Sequence, residues 1–356
     1  MAEADATAAV QAAPRYQPLP FRFTGRTDEY FRLWIVNLAL TLLSIGIYSA
    51  WAKVRSERYF YGNTSVGGTP FEYLAEPLAI LKGRAIAAVL LLAYLATAHW
   101  SPLWNLLMLG VLALLFPWML TRSLAFRARY SAWRSIRFGF DGRYGQALLH
   151  YVLWPFASLF TLYLAFPWVV RNQSRWLVSH HRFGRTPLRF DAPTADFYAV
   201  YLLALGLWFA IGVAMVAFIF AAFGAAGSVP AGERALDRLG PVIAGLGYLA
   251  MLSVGVFIRA ATANILYNHL QVGDCRFRST ISGWDMAWLF CTNTLAIIAT
   301  LGLAYPWARI RVARYRAEHL AFVPVGDPDQ FLADAHAGAA AAGSEAADLF
   351  DVDISW

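Results

Sequence analysis

Charge is what this sequence has least of. Lys, Arg, Asp and Glu make up 14% of its 356 residues, against 59% hydrophobic and 16% aromatic residues. So little polar surface excludes an ordinary soluble domain of this size and makes the bilayer the natural solvent. Cysteine is nearly absent. Cys275 and Cys291 are the two present, which excludes a disulfide framework, and their spacing matches no zinc or iron–sulfur pattern. There is no nucleophile elbow, no P-loop and no nucleotide-binding glycine motif, since Gly245-Leu246-Gly247 lies in an apolar stretch with no strand before it. The carboxylates Glu72, Glu76, Asp141, Asp191 and Asp196 show no spacing that argues acid–base work. The sequence therefore reads as non-enzymatic, with no cofactor.

Both ends also lack something. Residues 1–20 are rich in Ala and Pro without a basic start and apolar core, so they read as a disordered lead-in and not as a signal peptide. No Lys or Arg follows Arg316, while seven acidic residues lie between Asp327 and Asp353, so 327–356 reads as a disordered acidic tail. Residues 21–326 are left as the membrane domain, which keeps all but one of the basic residues.

Seven apolar stretches stand out: Phe31–Ala50, Gly83–Trp100, Pro102–Trp118, Ala147–Val170, Tyr198–Phe223, Pro241–Ile258 and Asp285–Trp307. Each is near the ~20 residues that span a bilayer core. Seven alternating crossings would divide the Lys and Arg residues 17 to 12, a weak bias. If the first, fourth and seventh stretches enter and leave on one side, 27 of the 29 share a face, and only Arg234 and Arg238 lie opposite. The positive-inside rule makes that face cytoplasmic, with both termini on it. The same three stretches carry helix breaks at Gly46-Ile47-Tyr48-Ser49, Ala165-Phe166-Pro167-Trp168 and Ala304-Tyr305-Pro306-Trp307. Each reads as a re-entrant hairpin or a kinked helix.

An internal repeat supports that grouping. At an offset of 117, Phe21, Phe23, Gly25, Arg26, Trp51 and Arg58 meet Phe138, Phe140, Gly142, Arg143, Trp168 and Arg175. At an offset of 256, Asn37, Gly46, Trp51, Lys53, Arg55, Arg58 and Tyr59 meet Asn293, Gly302, Trp307, Arg309, Arg311, Arg314 and Tyr315. Modules at about 21–73, 138–190 and 277–322 thus alternate with spanning pairs at about 83–118 and 198–258. Short β-hairpins follow the basic helices around Gly67-Gly68, Gly184-Arg185 and, more weakly, Gly273-Asp274. The expected fold is an all-α polytopic membrane protein with small cytoplasmic β-hairpins. Its repeated module is a re-entrant or kinked helix plus a hairpin, alternating with transmembrane helix pairs.

The run Gly46-Ile47-Tyr48-Ser49-Ala50-Trp51-Ala52-Lys53-Val54-Arg55, followed by Arg58-Tyr59-Phe60-Tyr61-Gly62-Asn63-Thr64, resembles the YjgN-like family of bacterial inner-membrane proteins, catalogued as domain of unknown function 898. The resemblance extends from about Phe21 to Phe322 and implies a multi-pass protein of the bacterial inner membrane. It implies no reaction and no catalytic residues.

Candidate ligand residues follow each break. Trp51, Lys53, Arg55 and Arg58, then Trp168, Arg171 and Arg175, then Trp307, Arg309, Arg311 and Arg314 place guanidinium groups on a helix beside an interfacial tryptophan. Arginine in that setting suits phosphate headgroups, and it equally suits ordinary snorkelling. The expected function is binding or transport of anionic lipid or small anions at a basic cytoplasmic face. The alternatives are a membrane-anchored scaffold recruiting a protein partner through the acidic tail, and a metal-dependent enzyme if His180, His269 and His319 converge. The partners expected are the bilayer and its anionic lipids, with no nucleic acid.

Overall fold

The computed structural model describes residues 17–225 and 229–324, so the lead-in up to residue 16 and the acidic tail lie outside the described residues. The expected all-α fold with separate small hairpins is overturned. Ten strands close into one antiparallel barrel in the order β1-β10-β9-β8-β7-β6-β5-β4-β3-β2. They are β1 (Leu19–Phe23), β2 (Thr64–Val66), β3 (Thr69–Tyr73), β4 (Ser131–Trp133), β5 (Ile136–Phe140), β6 (His181–Phe183), β7 (Thr186–Phe190), β8 (Leu270–Val272), β9 (Cys275–Ser279) and β10 (Leu320–Val323). The physical reason is that an isolated hairpin this short is unstable and exposes two unpaired edges, whereas closure removes every edge. β1 begins inside the stretch read as a lead-in.

Each five-residue strand pairs with the shorter strand that follows it, across one helical excursion. Phe21 faces Val66, Phe71 faces Trp133, Phe138 faces Phe183, Leu188 faces Val272 and Phe277 faces Phe322. The repeat is therefore a strand–helices–strand unit present five times, and not a module present three times. Those ten residues fill the barrel, with Ile136 and Cys275 buried among them. They leave a void of only about 60 Å³, lined wholly by apolar side chains. Alternation turns the second and fourth positions of each long strand outward, which puts Arg22, Arg137, Arg189, Arg276 and Arg278 on the surface.

The helical excursions are α1 (Thr27–Leu43) with α2 (Ser49–Gly62); α3 (Pro77–Trp100) with α4 (Pro102–Arg129); α5 (Tyr144–Leu148) and α6 (Trp154–Ser158) with α7 (Phe166–Ser179); α8 (Thr194–Ala225) with α9 (Val229–Asn268); and α10 (Gly283–Ala299) with α11 (Tyr305–Glu318). Neighbouring units touch through α2 and α3, α4 and α5, α7 and α8, α9 and α10, and finally α11 and α1. The helices thus form a ring continuous with the barrel. Among the described residues four helices, α3, α4, α8 and α9, are long and apolar enough to cross a membrane. Much of the stretch Gly224–Gly240, read as an outward loop, is helical backbone of α9.

The other three excursions are short, and each ends in a tip of the same design. At the first, Gly46 donates to the Thr41 carbonyl, Ser49 to the Gly46 carbonyl, and the amide of Tyr48 to Oγ of Ser44. At the third, Gly302 donates to Ile297, Tyr305 to Gly302, and the amide of Ala304 to Oγ1 of Thr300. The middle tip repeats this with Tyr163 on Ser158, Phe166 on Tyr163, and Ala165 on Oγ1 of Thr161. Each tip needs two successive left-handed residues: Ile45 and Gly46, Leu162 and Tyr163, Leu301 and Gly302. Ile45 is 95% exposed, Leu162 85% and Leu301 95%. Apolar side chains that exposed suit a hydrocarbon surrounding, and within each tip the backbone satisfies its own amides.

Between α5 and α6 the helix widens into a π-turn at Leu149–Leu153, where the amide of Trp154 reaches the Leu149 carbonyl. In that register the next amide would serve the carbonyl of His150, but the next residue is Pro155, which has none. Nε2 of Gln173 on α7 donates to that carbonyl instead, at 2.9 Å.

Two predictions follow from this architecture. Thr300→Ala should destabilise the protein by about 1–2 kcal/mol by orphaning the Ala304 amide, whereas Thr300→Ser should stay near wild type; thermal unfolding in detergent reads the difference. Single cysteines at Ser135, Arg185 and Asp274, each in a different hairpin turn, should be labelled by an impermeant maleimide from one and the same side. Labelling of any one from the opposite side would contradict the closed barrel.

Candidate ligand cavity

Below the barrel, α2, α9, α10 and α11 line an open cavity of about 850 Å³. Its lining is mainly apolar. Phe21, Phe71 and Phe138 are shared with the filled barrel interior, so the cavity is closed at that end. Val256, Met286, Phe290, Ile297, Val312 and Ala313 line its sides, and Arg309, Arg316, Tyr305, Asn293, Thr294, Tyr61 and Ser131 supply the polar groups.

Helix α11 presents one face to this space. Arg309, Val312, Ala313 and Arg316 stand at i, i+3, i+4 and i+7, so they share a side of the helix. The guanidinium of Arg309 lies over the Phe60 ring, 4.7 Å from its centroid, and donates to the Tyr305 hydroxyl at 3.1 Å. The corresponding residues of α2 differ. Lys53 forms an ion pair with Glu57, and Phe60 stands where α11 has Arg316. The pair of guanidinium groups on this face thus has no counterpart on α2.

Most of the other arginines expected to bind a ligand are held by the fold. Arg55 donates to Oδ1 of the buried Asn37 at 3.2 Å and to the Tyr48 hydroxyl at 3.0 Å. Arg311 repeats the clamp, donating to Oδ1 of Asn293 at 3.1 Å and to Oγ1 of Thr292 at 2.7 Å, with Trp307 stacked 5.1 Å from its charge centre. Arg58 donates to the Ala75 carbonyl at 3.2 Å and Arg171 to the Ala192 carbonyl at 2.8 Å, the same place in two units. Arg175 and Arg314 are exposed. Trp51 stacks on Tyr48 and Trp168 packs edge-on against Trp154. The stripe expected from the tryptophan spacing thus ties each helix to its own unit through Arg55 and Arg311 and to the next unit through Arg58 and Arg171. The cavity face is a different one, marked in the sequence by Arg309 and Arg316 at seven-residue spacing.

The histidines stand at separate helix ends. His180, His269 and His319 each donate from Nδ1 to the carbonyl four residues earlier, Trp176, Ile265 and Tyr315 respectively, at 2.8, 3.0 and 2.8 Å. Asn63 does the same to Tyr59 through its amide at 2.8 Å. These side chains close the last turn of α2, α7, α9 and α11 before the strand begins. The adjoining His181 also donates to a carbonyl, that of Leu177, and burial pushes its imidazole pKa down. Among the described residues no group of three His, Cys, Asp or Glu side chains is placed to hold a metal.

The family model described as "Bacterial protein of unknown function (DUF898)" matches residues 18–349. Inner membrane protein YjgN of Salmonella typhimurium is 24% identical over 341 residues, covering 83% of this chain and 86% of its own length. Inner membrane protein YjgN of Escherichia coli strain K12 is 28% identical over 127 residues, or 34% of this chain and 31% of its own. No solved structure matches this chain. With four helices fit to cross a bilayer and a match along nearly its whole length, the chain belongs to the bacterial DUF898 family of inner-membrane proteins of unknown function.

Proposed function

We propose that this protein binds an anionic lipid of the inner membrane, with the acyl part in the cavity beside α11 and the headgroup at Arg309 and Arg316. The observation that carries the reading is the cavity itself: about 850 Å³ of mainly apolar space with two guanidinium groups on one of its walls. That volume is in the range of small-molecule sites, and an apolar body with a few placed charges is what an amphiphile needs. Arginine adds bidentate recognition of phosphate oxygens. Arg309 is held in place by Phe60 and Tyr305, so little side-chain freedom is lost on binding.

The filled barrel supports a lipid over a free anion. Its aromatic plug offers no aqueous passage along the axis, whereas a lipid needs only the hydrocarbon that already surrounds the ring. The basic face supports the same choice, since anionic headgroups concentrate at the inner leaflet.

Native mass spectrometry of the protein taken up with phosphatidylglycerol or phosphatidylcholine checks the proposal. Wild type should retain the anionic lipid preferentially. Arg309→Gln with Arg316→Gln should lower that retention about tenfold, equivalent to ~1.4 kcal/mol. Ala313→Trp, which fills the cavity without touching charge, should weaken both lipids. Equal retention of the two lipids by wild type, or an unchanged preference in the arginine variant, would sink it.

A further inference from the structure

The outer surface of the barrel lies apart from the cavity lining, and its charge is one-sided. Six strand arginines, Arg22, Arg137, Arg182, Arg189, Arg276 and Arg278, are exposed around it, against Glu72 as the one acidic strand residue among those described. Ion pairs join Arg26 with Asp28, Lys53 with Glu57 and Arg171 with Asp191. None of the six belongs to them. Gly139 leaves room for one: a Cβ there would fall 2.4 Å from Nε of Arg182, so that side chain lies across the neighbouring strand and extends the belt from β6 to β5.

The same chain carries the complementary charge. Beyond Arg316 it has no Lys or Arg, and residues 327–353 hold seven carboxylates. The place from which that segment departs is known. β10 ends at Val323, which pairs with Arg276, and Ala321 one turn of the pleat earlier pairs with Arg278. The tail thus starts beside two of the six arginines. From there about 33 residues can reach ~110 Å when extended, while ten strands at ~4.8 Å give a girth of ~48 Å. Tethering also raises the local concentration of the tail to the millimolar range.

We propose that the acidic segment 327–353 docks in cis on the arginine belt of the barrel, as an electrostatic cover that another polyanion must displace. The occupant is the chain's own tail because charge, reach and point of departure all agree. Docking of this kind is strongly screened by salt, with a Debye length of ~8 Å at physiological ionic strength.

A fluorescent synthetic peptide of residues 324–356 tests this against full-length protein by anisotropy. It should bind a variant whose seven tail carboxylates are changed to Asn or Gln at least tenfold more tightly than it binds wild type, whose own tail occupies the belt. Half a molar salt should abolish the binding. Arg276→Glu with Arg278→Glu, placed in the neutralised-tail variant, should weaken it while the thermal unfolding midpoint in detergent stays unchanged, which excludes misfolding as the cause. Equal binding to wild type and the neutralised-tail variant, or binding that ignores the belt substitutions, would overturn the proposal. Docking between molecules, shown by wild-type dimers that dissociate on neutralising the tail, would overturn it too. The outcome is independent of lipid retention in the cavity.

Discussion

The pairing of each strand with the next one beyond its helices is the constraint from which the rest follows. Phe23 lies opposite Thr64, Tyr73 opposite Ser131, Phe140 opposite His181, Phe190 opposite Leu270 and Ser279 opposite Leu320. Every helical excursion therefore begins and ends at one place on the barrel rim. Whatever enters the bilayer must come back, so crossings occur in pairs and an odd number is forbidden by geometry. The uneven distribution of basic residues is the chemical counterpart of that geometry. Five returns to one rim bring the loops that carry most arginines to a common side.

A reversal among exposed apolar side chains needs a turn that leaves no amide unpaired, and the three short excursions share one solution. A hydroxyl residue, Ser44, Thr161 or Thr300, accepts the amide four positions on, while two left-handed residues reverse the chain. Glycine at Gly46 and Gly302 makes the second left-handed position cheap, whereas Tyr163 occupies it at some cost in backbone strain. Further along each unit, Tyr59 and Tyr315 link the returning helix to the start of the outgoing one by accepting the amides of Arg26 and Ser282 at 2.8 and 3.0 Å. Trp176 donates to Gln146 in the third unit at 3.3 Å. With each hairpin held by its own residues, the arginines that clasp Asn37, Asn293, Ala75 and Ala192 are committed to the scaffold. Arg309 and Arg316 remain turned to the cavity.

Much of this was legible in the sequence, and the rest was hidden for physical reasons. Apolar length alone gave seven stretches, charge asymmetry set three of them apart from the four spanning helices, and glycine-led turns marked three hairpins but not the one at Arg134-Ser135. Barrel closure was not legible, because strands of three to five residues carry too little alternation to show a period and because Leu19 pairs with Phe322 across nearly the whole described chain. The fivefold repeat was masked because the second and fourth units replace broken hairpins by spanning helices, so self-similarity survives only in three. Trp51, Trp168 and Trp307 drew attention to the face that follows them. The cavity instead uses the face through Arg309 and Arg316, and only the packing of α11 against its neighbours distinguishes the two.

Closure of the ring between its first and last strands is the central claim, and one disulfide reports on it directly. Pro20 and Ala321 are Cα partners on β1 and β10, and antiparallel partners lie within the ~4.4–6.8 Å that a disulfide spans. Pro20→Cys with Ala321→Cys, oxidised mildly in membranes and cut once by a protease site placed between α8 and α9, should remain one species until reduced. Two separate fragments before reduction, or cross-links only between molecules, would contradict a closed barrel.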